Sequence, residues 1–449
     1  MPSKTVSFKT FGCKQNQYDT DFLRESFKLR GFQVVDEGPS DVVVVNTCAV
    51  TAKGAAKCRQ AIRSAARGGA KVVVTGCYSQ IAPNEVDDIP GVIAVTGVRG
   101  RSELAALVDQ ALTTGEKVVE VAPHDEPGTT SEAFEETPVE TPRLTRAFLK
   151  IQEGCGDFCA YCVVPYARGP SRSRPVDRIL AEAEGLVQKG YKEIVLTGTH
   201  IGLYGKDEPR AGGGIRGGTS GSIGGCPSLP HVVRQVSEVP GLIRLRISSL
   251  EPHDVDDDLL DCLRLPQVCA HLHLPLQSGS DRILRLMGRR YDVSSFLDVV
   301  DRTRRIAPGA GVTTDVIVGF PGETAGDFDD TLNVAKQAGF SRIHAFKFSA
   351  RPGTRARDFA GKVGEKEKDE RVNRLIGIGL ELSHAFHRKH VGRVMEVLAE
   401  DDRTKGGLLT GVTRNYIRCN FAGGDEHKGR IVPVVVREAR ESSVTGDIA

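Results

Sequence analysis

Three cysteines in the run Cys155-Gly156-Asp157-Phe158-Cys159-Ala160-Tyr161-Cys162 constrain this chain more than any other feature. Their spacing is C-x3-C-x2-C, and a strand-like run, Ala147 to Ile151, comes just before them. Three thiolates can hold three irons of a cubane [4Fe–4S] cluster and leave the fourth iron without a protein ligand. An open iron can bind a substrate or cofactor, so the spacing points to chemistry more than to electron storage. A closed structural zinc site takes four ligands, usually in two pairs. No fourth Cys or His lies close by in sequence. Three buried thiols without metal is the plain alternative. It fits a lone cysteine better than a tight triplet flanked by glycine and aromatics.

The rest of the chain reads as several domains, which 449 residues allow. Residues 1–121 alternate apolar β-branched runs (Val6–Phe11, Val42–Asn46, Val72–Thr75) with helical stretches (Asp19–Arg30, Thr51–Arg67), the pattern of a parallel α/β sheet. Residues 122–143 carry six acidic groups and no Lys or Arg before Arg143, and read as a linker. From 144 to 375, six strand-like runs recur between helices, which suggests a partial barrel with its site at the strand C-terminal ends. The Gly-rich segment 207–225 reads as an insertion without a ligand set. Residues 376–449 open on a helical stretch followed by four short β-like runs, which suggests a small β-barrel.

Bulk properties narrow the setting. Eleven cysteines, an odd number in a long chain, argue for metal or catalytic thiols over a disulfide framework. A net charge of +2 neither demands nor excludes nucleic acid, so any RNA surface is a local patch. No apolar run approaches a membrane span, and Met1–Phe8 has no apolar core of a signal peptide. The expectation is a cytoplasmic protein with no membrane partner.

The triplet, with Phe158 and Tyr161 before its second and third cysteines, resembles the signature of radical S-adenosylmethionine (SAM) enzymes. The resemblance implies a catalytic cluster on Cys155, Cys159 and Cys162, with SAM bound at its open iron. An injected electron would then cleave SAM to a 5′-deoxyadenosyl radical and methionine.

Three more cysteines, Cys13, Cys48 and Cys77, each follow a predicted strand and are separated by 35 and 29 residues. Positions past the strand ends of a parallel sheet converge on one edge, so the three thiols can meet. Independent small residues in turns are the alternative. Gly12-Cys13-Lys14-Gln15-Asn16, Asn46-Thr47-Cys48 and Gly76-Cys77 resemble the N-terminal domain of the methylthiotransferases. That family implies a flavodoxin-like N-terminal domain with a second [4Fe–4S] cluster on Cys13, Cys48 and Cys77. It further implies a partial (β/α)6 radical SAM barrel and a C-terminal TRAM-like barrel that binds RNA. Two SAM molecules would be used per turnover, one methylating the sulfur held at the second cluster and one supplying the radical. A reduced flavodoxin- or ferredoxin-like protein would be the electron donor.

Leu196–Gly205, Arg246–Pro252 and His271–Gly279 look most like the group acting on N6-threonylcarbamoyladenosine (t6A) at position 37 of tRNA. Methylthiolation of isopentenyladenosine-37 or of a ribosomal-protein aspartate, or a non-enzymatic Fe–S RNA-binding redox sensor, are the competing readings. The resemblance places the SAM amino group at Gly198 and Thr199; Ser249, Gln277 and Asp315 lie on or just after later strands and read as lining the SAM pocket, with satisfied core or strand-end groups as the alternative. The turn Gly319–Glu323 is a further candidate. His200, His271 and His273 read as packing or RNA contacts. Cys58 reads as a half-buried helix residue, with a cluster ligand as the alternative, and Cys226, Cys262, Cys269 and Cys419 match no ligand pattern. Arg414, Asn415, Tyr416 and Arg418 combine charge with an aromatic ring and, on the family resemblance, are the RNA candidates of the C-terminal barrel, with an ordinary solvated barrel face as the alternative.

Overall fold

The computed structural model describes residues 4–124, 134–206 and 227–449. The Gly-rich insertion, Cys226 and part of the acidic segment lie outside the described residues.

The N-terminal unit is a six-stranded parallel sheet. Its strands are β1 (Thr5–Thr10), β2 (Gln33–Val34), β3 (Val42–Thr47), β4 (Lys71–Gly76), β5 (Val92–Thr96) and β6 (Val118–Glu120), in the order β2-β1-β3-β4-β5-β6. Five helices connect them: α1 (Lys14–Leu29), α2 (Ala52–Arg67), α3 (Cys77–Ile81), α4 (Asn84–Asp87) and α5 (Leu104–Thr114). Every residue of β3 is buried, as expected for a strand covered on both faces. Its side chains alternate accordingly: Val42 and Val44 pack with Leu23, Phe27 and Val108, while Val43 and Val45 pack with Ala55 and Ile62. Helix α1 starts at Lys14, five residues before the expected Asp19, because its first turn carries no apolar pattern. Polar bonds hold that turn instead, such as Gln15 Nε2 donating to the Gln152 carbonyl at 3.0 Å.

The central unit has six parallel strands in chain order: β7 (Ala147–Lys150), β10 (Glu193–Thr197), β11 (Arg244–Ile247), β12 (His271–His273), β13 (Gly311–Val318) and β14 (Arg342–Lys347). Single bridges, Leu245–Val268 and Ser249–His273, connect its two three-stranded halves. Just past β7, β8 (Gln152–Glu153) pairs with β9 (Arg172–Ser173), ahead of which comes helix α6 (Val164–Arg168). Among the described residues β7 and β14 are not paired, so the barrel is open on that side. Ala147, Leu149, Leu196, Ile247, Leu272 and Val316 belong to the large core shared with the outer helices. Their strand neighbours, including Phe148, Arg246, His271 and Asp315, therefore face the barrel interior.

The long helix Glu365–Arg388 leads to a closed barrel of β15 (Val394–Arg403), β16 (Leu409–Thr413), β17 (Arg418–Phe421), β18 (Ile431–Ala439) and β19 (Val444–Ile448). Strand β19 is absent from the sequence reading, because Val-Thr-Gly-Asp-Ile is short and half polar. It is recruited by pairing with β17 and β18. This small barrel caps the N-terminal end of the partial barrel. Arg244 donates to the carbonyls of Val412 (3.1 Å) and Glu396 (2.8 Å), and Arg246 donates to those of Thr413 (3.1 Å) and Arg414 (3.0 Å). No helix among the described residues is long and apolar enough to cross a membrane.

Arg246 also holds Glu193 at 2.7 Å, with both side chains 1% exposed or less. Arg246→Ala leaves Glu193 charged and buried without its closest partner, with an expected loss of about 3–5 kcal/mol. Urea unfolding should show this loss, and brief proteolysis should release the small barrel earlier than in the wild type.

Candidate active site

The barrel triplet lies in a backbone held tightly at both ends. Gly154 has φ +81°, and a Cβ there would fall 1.8 Å from the Pro170 carbonyl oxygen, so only glycine fits. Phe158, between the first two cysteines, is left-handed at φ +45°, an uncommon conformation for a residue with a side chain. The Cys162 N–H donates to the Cys159 carbonyl (2.9 Å), and the Ala160 N–H donates to that of Met287 (2.8 Å). All three cysteines are half-buried. Arg289 donates to Cys159 Sγ at 3.2 Å and pairs with Glu251. Burial pushes the Cys162 thiol up to about 12, and the neighbouring Cys159 and Cys155 add to the rise. Three neighbouring sulfurs beside a fixed guanidinium are a donor set suited to an iron–sulfur cluster.

Of the residues assigned to SAM, Gly198 and Thr199 lie just past β10 beside this loop, Ser249 just past β11, Gln277 beyond β12 and Asp315 within β13. A Cβ on Gly198 would sit 2.9 Å from the Gln152 carbonyl oxygen. Thr199 Oγ1 donates to Gln15 Oε1 (2.9 Å) and accepts from the Gly154 N–H (3.1 Å), so its hydroxyl ties α1 to the cysteine loop. Ser249 is exposed beside His273. Gln277 is left-handed at φ +61°, and its N–H donates to the Asp315 carbonyl at 2.9 Å. The Asp315 carboxylate is 3.3 Å from His273. His200, read from sequence as packing or RNA contact, sits with Nδ1 3.7 Å from Cys155 Sγ and 3.0 Å from Asp157. Its Nε2 lies 2.6 Å from Asp254. Burial pushes this imidazole down, but the bonds to Asp157 and Asp254 outweigh burial and raise it to about 11. Asp157, Asp254 and Arg289 escaped the sequence reading; Asp157 lies inside the cysteine run, the only signal available for it.

The N-terminal triplet gathers because β1, β3 and β4 are adjacent and each ends just before one of its cysteines. Gly12 (φ +108°) leaves only 3.0 Å between an added Cβ and Cys48 Sγ, which explains a glycine before Cys13. Cys13 is exposed, Cys48 half-buried and Cys77 buried. Burial pushes Cys77 up to about 11, against the pull of Arg168, and Cys13 and Cys48 both oppose its ionisation. This all-thiol set on one sheet edge also fits a cluster. Cys58 is fully buried rather than half-buried and packs with Ala55 and Ile62, its sulfur 3.5 Å from the Cys48 backbone nitrogen.

Arg168 joins the two triplets. It ends α6, which begins two residues after Cys162, and reaches into the N-terminal unit. There it donates to Asn16 Oδ1 (2.7 Å) and Asp19 Oδ2 (3.0 Å), and back to Glu153 Oε1 (2.5 Å). Its positive charge also pulls against the burial that raises the Cys77 thiol. Arg101 and Lys150 complete the buried network, Arg101 2.9 Å from Glu153 and Lys150 3.0 Å from Asp19. Burial pushes both carboxyls up, yet Arg101, Lys150 and Arg168 together hold Asp19 and Glu153 below their usual range. Arg414, Asn415 and Tyr416, the expected RNA residues, are docked on the partial barrel. Arg414 donates to the Val268 carbonyl (3.2 Å), Asn415 donates to that of Gly309 (3.2 Å), and Tyr416 stacks on His271 at 4.4 Å. Arg418 is exposed.

Two pH effects follow for chelated, metal-free protein. Asp19 and Glu153 bind fewer protons when folded, so their contribution is complete above about pH 4–5, the unfolded carboxyl range, and is lost as pH falls further. Cys77 and Cys162 hold their protons to about 11 and about 12, against about 8.5 for an unfolded cysteine. Stability therefore falls as pH rises from about 8.5 toward the folded values. Denaturation midpoints across pH check both. Among the six triplet cysteines, timed alkylation read by mass spectrometry should find Cys13 reacting first, and Cys77 and Cys162 last.

Two family profiles match the chain: the radical SAM superfamily over residues 149–335, and an uncharacterized protein family, UPF0004, over residues 5–97. The chain is 38% identical to the threonylcarbamoyladenosine tRNA methylthiotransferase MtaB of Bacillus subtilis (strain 168), covering 97% of this chain and 94% of that one. It is also 38% identical to the protein of the same name from Thermotoga maritima, over 95% and 94%. It is 31% identical to the tRNA-2-methylthio-N(6)-dimethylallyladenosine synthase of Finegoldia magna, over 99% and 94%. The solved radical SAM methyltransferase TsrM from Kitasatospora setae shares the fold, with a TM-score of 0.56 at 17% identity over 79% of this chain and 77% of that one. With both cysteine triplets in place and near-full-length similarity, the chain belongs to the radical SAM tRNA methylthiotransferases.

Proposed function

We propose that this protein methylthiolates C2 of N6-threonylcarbamoyladenosine at position 37 of tRNA, giving 2-methylthio-t6A. The observation that carries the reading is 38% identity, nearly end to end, to two enzymes named for that nucleoside, against 31% and 34% for two named dimethylallyladenosine synthases. Cys155, Cys159 and Cys162 would hold the cluster that takes SAM, and Cys13, Cys48 and Cys77 a second [4Fe–4S] cluster. When bound, these groups supply reductive SAM cleavage at the first site and a methylated sulfur for insertion at the second, two SAM molecules being used per turnover. A reduced flavodoxin- or ferredoxin-like protein is the electron donor in this reading, and the cytoplasm its setting.

The chain's own residues arrange this chemistry. Arg168 fixes the N-terminal sheet edge against the loop of the first triplet, which keeps the two thiol sets at a constant separation. Gln15 and Thr199 lock the start of α1 to the strand end where SAM is assigned. Arg289 puts a permanent positive charge at Cys159. Cys13 is the exposed member of its set, so the second site opens toward solvent and an arriving base. Gly198, Thr199, Ser249, Gln277 and Asp315 are the proposed SAM contacts.

Expression in a host lacking its own methylthiotransferases, followed by nucleoside mass spectrometry of total tRNA, tests the proposal. The wild type should produce 2-methylthio-t6A, and Cys159→Ala and Cys48→Ala should each abolish it. A 2-methylthio-isopentenyladenosine product would overturn the substrate assignment and keep the chemistry.

A further inference from the structure

The interior of the partial barrel holds a lysine, Lys14, that no carboxylate among the described residues pairs with. Lys14 opens α1, one residue past Cys13. Its ammonium interacts electrostatically with Tyr416 of the small barrel, Arg146 just before β7, Arg246 of β11, His271 of β12 and His344 of β14. These groups lie on opposite walls and on the capping barrel, and the space common to them is the barrel interior. Lys14 is half-buried, and among the described residues its ammonium has no ion-pair or hydrogen-bond partner. The neighbouring carboxylates are engaged elsewhere: Glu193 by Arg246 (2.7 Å), Glu400 by Arg146 (3.0 Å) and Asp315 by His273 (3.3 Å).

The floor below Lys14 is built for the same kind of ligand. Tyr416, left-handed at φ +68°, is turned inward; the guanidinium carbons of Arg246 and Arg146 lie 4.9 and 5.8 Å from its ring centre. Burial pushes its phenol up, but Arg146, Lys14 and Arg246 together pull it below its ordinary range, a mark of excess positive charge. His271 stacks on this ring, and its Nε2 lies 3.0 Å from Thr313 Oγ1. Its Nδ1 is buried with no hydrogen-bond partner, although the residue is only 4% exposed. A half-buried cation without a counter-charge and an unsatisfied buried ring nitrogen both cost stability unless a ligand answers them. An anionic group does so for Lys14. Tyr416 and the small barrel cover the interior from below, an arrangement that suits a side group better than a continuous phosphodiester chain. Because Lys14 adjoins Cys13, that side group belongs to the molecule handled at the second triplet.

We propose that Lys14 is a specificity-determining residue whose ammonium receives the carboxylate of the threonylcarbamoyl substituent, with His271 Nδ1 placed to bond the same substituent. This rests on the t6A reading above. It gives that reading a physical basis, since a purely hydrocarbon N6 substituent has nothing to offer an enclosed ammonium.

The test compares affinity of the reconstituted holoenzyme for one tRNA with and without t6A, in wild type, Lys14→Gln and Lys14→Arg. A charge-assisted bond predicts a wild-type preference for the modified tRNA of about tenfold to hundredfold. Lys14→Gln should lose that preference and keep its affinity for unmodified tRNA. Lys14→Arg should keep part of the preference. Iron content and the electron paramagnetic resonance signals of both clusters should be unchanged. Equal weakening toward both tRNAs would mean a backbone phosphate contact and would overturn the proposal. So would a preference that survives Lys14→Gln, or loss of iron from the Cys13 site. A wild type that forms 2-methylthio-t6A without any binding preference would overturn the Lys14 subsite alone. A wild type that forms only 2-methylthio-isopentenyladenosine would remove the t6A reading itself, and this subsite with it.

Discussion

The buried charge network around Arg168 is the interaction on which the arrangement of this protein depends. Asp19 from the N-terminal unit and Glu153 from the barrel are each almost fully enclosed, and neither could stay ionised there alone. They are tolerated because Arg101, Lys150 and Arg168 reach them from both units. Sliding one unit on the other would strand several charges in a low-dielectric interior. The network therefore specifies a single docking geometry more than it adds stability. Its neighbours are the two cysteine sets, so the same geometry fixes where one set stands relative to the other.

The acidic segment before the barrel takes part in this docking. Glu135 meets Arg101 at 3.1 Å and Glu136 meets Arg174 at 2.8 Å, while Val139 packs with Tyr18, Phe148 and Val195. Its acidic composition answers arginines on both sides of the junction. The small C-terminal barrel follows similar logic at the opposite end. Arg244 and Arg246 satisfy backbone carbonyls of its strands and loops, and Tyr416 is turned inward onto His271. Residues that look like an RNA face in isolation are spent on closing the partial barrel, and Arg418 remains on the outside.

Strained backbone marks the working parts. Among the described residues three non-glycines have positive φ, namely Phe158, Gln277 and Tyr416. They lie in the cysteine loop, at the strand end beside Asp315, and at the barrel floor. Each is over-determined by its surroundings, as a conformation costing on the order of 1–3 kcal/mol must be. The cysteine loop shows how: bonds from Cys162 to Cys159 and from Ala160 to Met287 leave Phe158 no freedom to relax.

The sequence by itself determined the ligand chemistry and the order of layers. Thiol spacing is local, and strand–helix alternation is carried by neighbouring residues, so Cys155, Cys159 and Cys162, the strand ends at Cys13, Cys48 and Cys77, and the parallel sheets were all legible. Glycines at positions 12, 76 and 154 could be seen, but the close contacts that require them could not. Only the tertiary structure decided the partners of charges. Arg168 lies 149 residues from Asp19, and Lys14 faces Arg146, Arg246 and Tyr416 from far along the chain. An arginine that bridges two domains and one that is solvated on a surface look alike in sequence. Burial and distance alone separate a lysine with a carboxylate partner from one left to receive a ligand, and both are set by how the chain path brings remote strands around one interior.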